Sequence, residues 1–448
     1  KTAQEMLEFI RISPTCFHAV ANIGRMLEAA GFQQLQEKEE WKLEKGGRYY
    51  TERNDSSVIA FAIPEKEVGI RGFHMAAAHS DSPCFKIKEK PELTVEEHYL
   101  RLNTEKYGGM ICAPWFDRPL SIAGRLVVSE GSRLVSKLVN VDRDLVMIPN
   151  LAIHMNREMN KGVEYNPQVD LLPLLADVSF DEYDTHTTYD AQNASENAEE
   201  QPETVEKPTL AALAAEAAGV DAETILGEDL FLYTRQEGKM IGAKGEFVLS
   251  PRLDDLQSAF ALTKAFTEST PAEYINLCAV FDNEEVGSGT RQGADSTFLE
   301  DTLQRITEGL QEGHSTYLRW VADSFLISAD NAHAVHPNHP EKADPANRPY
   351  LNGGIVIKYH GSQKYTTDGI SAAKMKDYCE RAKVPYQTYA NRSDIAGGST
   401  LGNISTAHVS VSSVDIGLPQ LAMHSAVETA GMKDTEYAVR ALKEFWGE

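Results

Sequence analysis

Four apolar stretches of this sequence run into side chains that can bind metal. MAAAHSD ends in His79 and Asp81, AVFDNEE in Glu284 and Glu285, FLISAD in Asp330, and GLPQLAMH in His424. A fifth, SPRLDDLQSAF, sets Asp254 and Asp255 just ahead of an apolar helix. Like charges crowded at the end of a buried strand, as in DNEE, repel one another, so positive charge is expected there. Two histidines with three carboxylates suit two borderline divalent cations such as zinc, one carboxylate bridging them. A spare carboxylate is then free as general base on a water between the ions. Two dications roughly 3.5–4 Å apart would reverse the repulsion. Each piece alone has a plainer reading: HxD as a hydrogen-bonded surface pair, LDD as a helix N-cap, EE as a solvated loop. Their shared position, at strand ends or a helix start, is what points to one site. VGSGTRQG, just after the acidic pair, lacks both GxGxxG and the P-loop lysine, and so reads only weakly as a phosphate cradle.

Residues so far apart in the chain need a scaffold that gathers strand ends, and the surrounding sequence supplies one. Residues 1–31 read as two helices, with Met6, Phe9 and Ile10 at helical spacing and a break at Ser13-Pro14-Thr15. RYYTERNDSSVIAFAIP reads as a hairpin around Asn54-Asp55. Strand-like 274–281, a helix near 297–310, strand-like 324–329 and GGIVIKYH follow, with amphipathic helices AAKMKDYCERAK and TEYAVRALKEFW. From about 92 to 235 the character changes to β-rich segments, then the acidic stretch DEYDTHTTYDAQNASENAEEQPE, then the helical TLAALAAEAAG. The expected fold is α/β: a mixed-sheet domain covered by helices (1–91 and 236–448), interrupted by an inserted β-rich domain (92–235). In such sheets ligands bind beyond the carboxyl ends of the strands.

Composition narrows the partners. A formal net charge of −24 over 448 residues argues against nucleic acid and against an anionic membrane. No run approaches the roughly 18 apolar residues that span a bilayer. KTAQEMLEFI has no signal-peptide core, so a cytoplasmic protein is expected. Five cysteines without CxxC spacing are expected to be reduced and structural.

AAAHSDSP at 76–83, FDNEEVGS at 281–288, SADNAHAVHPN at 328–338 and LPQLAMHS at 418–425 resemble the aspartyl aminopeptidases, a family of di-zinc exopeptidases. WFDRPL and IPNLAIHMNRE extend the resemblance over nearly the whole chain. It implies that His79 and Asp330 hold one metal, Glu285 and His424 the other, and Asp254 bridges. Glu284 is then the general base, and Asp81 orients His79. His154 reaches into a neighbouring subunit's site to stabilise the tetrahedral intermediate. Lys358, with Tyr365 nearby, meets the acidic side chain of the substrate's first residue. Two divalent ions are implied, zinc with manganese or cobalt as alternatives. The inserted domain is implied to be a dimerisation domain, and the assembly a homo-oligomer, a tetrahedral dodecamer built from dimers.

Three stretches depart from the family pattern: Cys112-Ala113-Pro114, Asn150 in IPNLAIH, and SDIAGGSTLG at 393–402. The metal set is intact. The expectation is a metalloaminopeptidase that removes N-terminal Asp or Glu from peptides. The alternatives are the same di-metal site with broader aminopeptidase specificity, and a deacylase.

Overall fold

The computed structural model describes residues 1–65, 69–178, 209–395, 397, 398 and 400–448. The acidic stretch noted at 181–203 lies outside the described residues. The chain divides into two compact units, one of residues 1–84, 107–114 and 236–448, the other of 85–106 and 115–235.

The first unit is built on a nine-stranded sheet. Its strands are β1 (Gln33–Gln34), β2 (Arg48–Arg53), β3 (Ser57–Ala62), β4 (Phe73–His79), β5 (Ile275–Phe281), β6 (Phe325–Ala329), β7 (Ile355–Tyr359), β8 (Tyr386–Ala390) and β9 (Ser412–Gly417). β2 and β3 form the expected hairpin, in which Asn54 and Asp55 take φ of 61° and 56°, a region these two residue types tolerate. In the middle, β5, β4, β6 and β9 lie side by side and parallel. Every residue of β4, β5 and β6 is buried, as apolar runs in a sheet covered on both faces must be.

Helices cover both faces. On one side α1 (Thr2–Arg11), α2 (Cys16–Ala29), α3 (Leu253–Thr267), α6 (Gly369–Ala382) and α8 (Asp434–Trp446) pack Met6, Ile23, Leu256, Met375 and Leu442 against Ala76, Ala78 and Val280. On the other α4 (Phe298–Gly309), α5 (His314–Ala322) and α7 (Leu401–His408) pack Leu303, Trp320 and Leu401 against Met75, Ala77 and Leu277. The alanines of β4 are small enough for α3, which is buried along nearly its whole length, to lie close on the sheet. The mixed α/β fold is as expected from the alternation, although α5 carried no clear signal.

A separate five-stranded sheet in the same unit comprises 239–241, 247–250, 332–333, 419–421 and 428–431. The second unit is a six-stranded sheet in the order 133–140, 120–130, 225–234, 84–95, 99–107, 174–177, with a helix Leu210–Ala218. That helix is capped by Thr209, whose hydroxyl accepts from the Ala212 amide, and ends at Gly219 in the left-handed region, as its sequence requires. All five cysteines are free thiols. Among the described residues no helix is long and apolar enough to cross a membrane.

Candidate active site

The four parallel strands at the middle of the first unit end at one place. His79 is the last residue of β4, Asp330 follows β6, and Glu284 and Glu285 form a short turn two residues beyond β5. His424 comes later than its sequence context implied: after β9 the chain forms the short strand 419–421, then a turn that puts His424 at φ 65°. Asp254 and Asp255 were expected just ahead of a helix. They lie instead at the first turn of α3 with non-helical dihedrals, which aim Asp254 at the strand ends.

There Asp254 faces both histidines. Its Oδ1 is 3.4 Å from His79 Nε2 and its Oδ2 3.4 Å from His424 Nε2. Glu285 Oε2 is 3.3 Å from His424 Nε2, Asp330 Oδ1 4.0 Å and Glu284 Oε2 3.9 Å from His79 Nε2. Ligand atoms of His79, Asp254 and Asp330 lie within 4.8 Å of one another, as do those of Asp254, Glu285 and His424. These two trios share Asp254, and a third grouping, His79, Glu284 and Glu285, lies within the same distance.

The donor set suits divalent cations on three grounds. Among the described residues nothing donates a hydrogen bond to the buried Asp254 Oδ1 and Glu285 Oε1, an arrangement that is costly unless a cation satisfies them. Nδ1 of His79 sits 3.1 Å from the Asp81 carbonyl, and Nδ1 of His424 2.8 Å from the Gly109 carbonyl. Each Nδ1–H donates to its carbonyl, which leaves Nε2 with a free lone pair turned toward Asp254, the arrangement of metal-binding imidazoles. The third ground is charge. Burial alone would lower His79, but Asp254 and Asp81 outweigh it and raise its pKa well above the usual value. His424 is raised to about 9, Asp254 overcoming burial. Protons and cations compete for such a site.

Glu284 is pushed up to about 8 by burial, with Asp330 and Asp81 adding to it against the opposing pull of His79. Asp81 does more than face His79. Its oxygens accept from the amides of Glu284 and Glu285, each at 3.1 Å, and from the Tyr107 hydroxyl at 2.8 Å. Tyr107 in turn accepts from Asn283, whose side-chain oxygen is held by Thr290 and Gln292. The VGSGTRQG loop thus folds back on Asn283.

A cavity of about 330 Å³ opens on the cluster, lined by Asp254, Glu284, Asp330, Lys358, Tyr365 and His424 among others. Lys358 is only 2% exposed. Its ammonium donates to the Asn331 carbonyl at 3.0 Å, lies 3.8 Å from Asp330 Oδ2 and sits 5.4 Å from the Tyr365 ring centre. Burial would lower it, yet Asp330 and its neighbours raise it, so it stays charged. Gly417 makes room: a Cβ there would lie 2.2 Å from the Asp330 carbonyl oxygen and 2.9 Å from Lys358 Cε. His154 is exposed in the second unit and does not line this cavity.

Sequence reasoning missed Tyr107, Asn283, Asn331 and Glu428. Glu428 is buried and accepts from the amides of Asp254 and His424 at 3.0 and 2.7 Å. Nothing in VETAG marks it. Asn331 donates to the Leu253 carbonyl and to Gln257 and Gln420, tying the residue after Asp330 to the start of α3.

This arrangement matches proteins already known. The family model "Aminopeptidase I zinc metalloprotease (M18)" matches residues 9–446. The chain is 46% identical, over 100% of its length and 98% of the relative's, to a probable M18 family aminopeptidase 2 of Clostridium novyi. Among solved structures it is similar to the Ape4 and Nbr1 complex (37% identity, TM-score 0.91, 100% of this chain and 85% of that one). It is also similar to the mApe1 dodecamer of S. cerevisiae (26% identity, TM-score 0.81, 99% and 95%). With its buried histidine–carboxylate cluster at the parallel strand ends, the chain belongs to the M18 family of zinc metalloaminopeptidases.

Proposed function

We propose that this aminopeptidase uses two metal ions, held by His79, Asp254 and Asp330 and by Asp254, Glu285 and His424, and removes N-terminal Asp or Glu from peptides. When bound, the ions supply a Lewis acid for the scissile carbonyl and acidify a water. The chain's own groups do the rest. Glu284 takes the proton of the attacking water and passes it to the leaving amine, and bound cations would bring its pKa down toward the range a base needs. Asp81 holds the Glu284 and Glu285 backbones and the His79 ring while this happens. Lys358 and Tyr365 receive the acidic side chain of the first residue. The rest of the peptide extends into an adjoining cavity of about 450 Å³ that shares His333, Tyr389 and Gly398 with the first.

The second unit serves dimerisation, and His154 of a second copy donates to the developing oxyanion. A dodecamer is the assembly proposed, as in the S. cerevisiae mApe1 structure, and the cytoplasm the location. The observation that carries the acidic preference is Lys358, a charged, buried ammonium in the wall of the metal-site cavity. The same lysine supports a second reading, broader specificity, because its contacts with Asp330 and Asn331 already give it partners within the fold.

Aminoacyl-nitroanilides of Asp, Glu, Leu, Lys and N-acetyl-Asp, assayed after chelation and after adding back zinc, manganese or cobalt, separate these. Metal-dependent cleavage of Asp and Glu with acetyl-Asp refused is expected. Cleavage of Leu or Lys at equal rates would remove Lys358 from its role, and cleavage of acetyl-Asp would make the enzyme a deacylase.

A further inference from the structure

Behind the ligands lies a second set of carboxylates that act on ligand backbones. Asp81 accepts from the amides of Glu284 and Glu285, and Asp255 Oδ2 from the amide of His79 at 3.3 Å. Glu428 accepts from the amides of Asp254 and His424. Of the three, Glu428 alone joins the two metal trios' shared ligand to a ligand from a distant part of the chain. It is 1% exposed and anchored at the start of strand 428–431, which pairs with 247–250 on one side and 419–421 on the other. Its rigid mounting therefore fixes the spacing of the Asp254 and His424 backbones directly behind the place where Asp254 Oδ2 and His424 Nε2 approach to 3.4 Å.

The chemistry also requires an acid. Both groups that face the Glu428 oxygens from these ligands are N–H donors, one to each oxygen, and a carboxyl group has an oxygen to offer each of them. A glutamine could accept from one amide but would turn its own NH₂ toward the other. Burying a carboxylate beside other carboxylates is unfavourable unless it is fully hydrogen-bonded. A neutral residue would have been the easier choice had only packing mattered.

We infer that Glu428 is a positioning residue for metal binding, acting through the Asp254 and His424 backbones so that the ion held by Asp254, Glu285 and His424 depends on it more than the ion held by His79, Asp254 and Asp330. This rests on the two-metal reading proposed above.

The test is titration of the metal-free full-length protein with zinc against a chromogenic competing chelator, for the parent, Glu428→Gln and Glu428→Asp. Cobalt-loaded samples add a visible spectrum that reports ligand geometry, and melting is followed with and without metal. The parent is expected to bind two ions tightly. Glu428→Gln should bind one as tightly as the parent and the other roughly 10–100-fold more weakly, as for other residues that orient metal ligands. Its cobalt spectrum should change while its metal-free melting temperature stays close to the parent's. Unchanged affinities for both ions, or equal weakening of both together with a lowered metal-free melting temperature, would overturn the inference. Should Glu428→Gln fail to fold, Glu428→Asp, too short to reach both amides, must show the same selective loss or the inference fails. A parent that binds a single ion overturns the two-metal reading instead, and Glu428 is then judged on whether that ion's affinity falls.

Discussion

Glu284 and Lys358 line the same cavity beside the histidine–carboxylate cluster, and the roles proposed for them carry opposite demands. A base must be free to accept a proton, whereas a recognition group must keep its charge. Glu284 lines the cavity outside both trios built on Asp254, although it also groups with His79 and Glu285; as the proposed base, Glu284→Gln should retain its metal by elemental analysis while kcat falls by about 10²–10⁴. Loss of metal in that variant would make Glu284 a ligand. For Lys358 the prediction is a change in preference. Lys358→Met keeps the length of the side chain and removes the ammonium, which should lower kcat/KM for Asp- and Glu-nitroanilide by about 10–100-fold, the worth of a charge-assisted contact. The Leu substrate should gain or hold. A uniform fall across all substrates would show that Lys358 supports Asp330 rather than reading the substrate.

The scaffold strands away from the site carry their own pH dependence. On β2, Glu52 is partly buried, and burial first, then Asp55 and Glu28, push it up to about 7. An unfolded chain releases that proton near the ordinary glutamate value, so between about pH 4.5 and 7 the folded state binds the extra proton. Stability from this group is therefore present at low pH and is lost as pH rises through that window. Glu52→Gln should be nearly neutral at pH 4.5 and stabilising by about 1–2 kcal/mol at pH 8, after allowing for partial exposure. Urea unfolding at the two pH values measures this, and an equal effect at both would contradict it. The position is remote in sequence from every proposed ligand, so metal content should not change.

For the whole molecule the open matter is assembly. Leu151, Ile153 and Met155 are 53%, 45% and 76% exposed on either side of His154, an unusual run of bare apolar side chains for a surface that stays in water. In the proposed dodecamer this loop meets a second copy. Light scattering should find twelve chains, and His154→Ala should preserve that state while lowering kcat by about 10²–10³, as loss of an oxyanion donor does. A monomer with full activity would rule out the shared site. An intact dodecamer with an unchanged rate would remove His154 from catalysis and leave the assembly standing.

Local pattern carried a large part of this protein. Apolar runs that stop at His79, Glu284, Asp330 and His424 are visible because burial and its abrupt end are written in adjacent residues, and strand–helix alternation made the α/β fold legible in the same way. Residues whose partners lie far away left no such trace. Glu428, Asn331, Tyr107 and Asn283 act through single hydrogen bonds to distant parts of the chain, which have no period and no fixed spacing. The tautomers of His79 and His424 depend on the carbonyls of Asp81 and Gly109. The order of the central strands, which sets four parallel carboxyl ends side by side, follows from packing both faces of one sheet under helices. Sequence supplied the donors, and tertiary structure decided which atoms of those donors face one another.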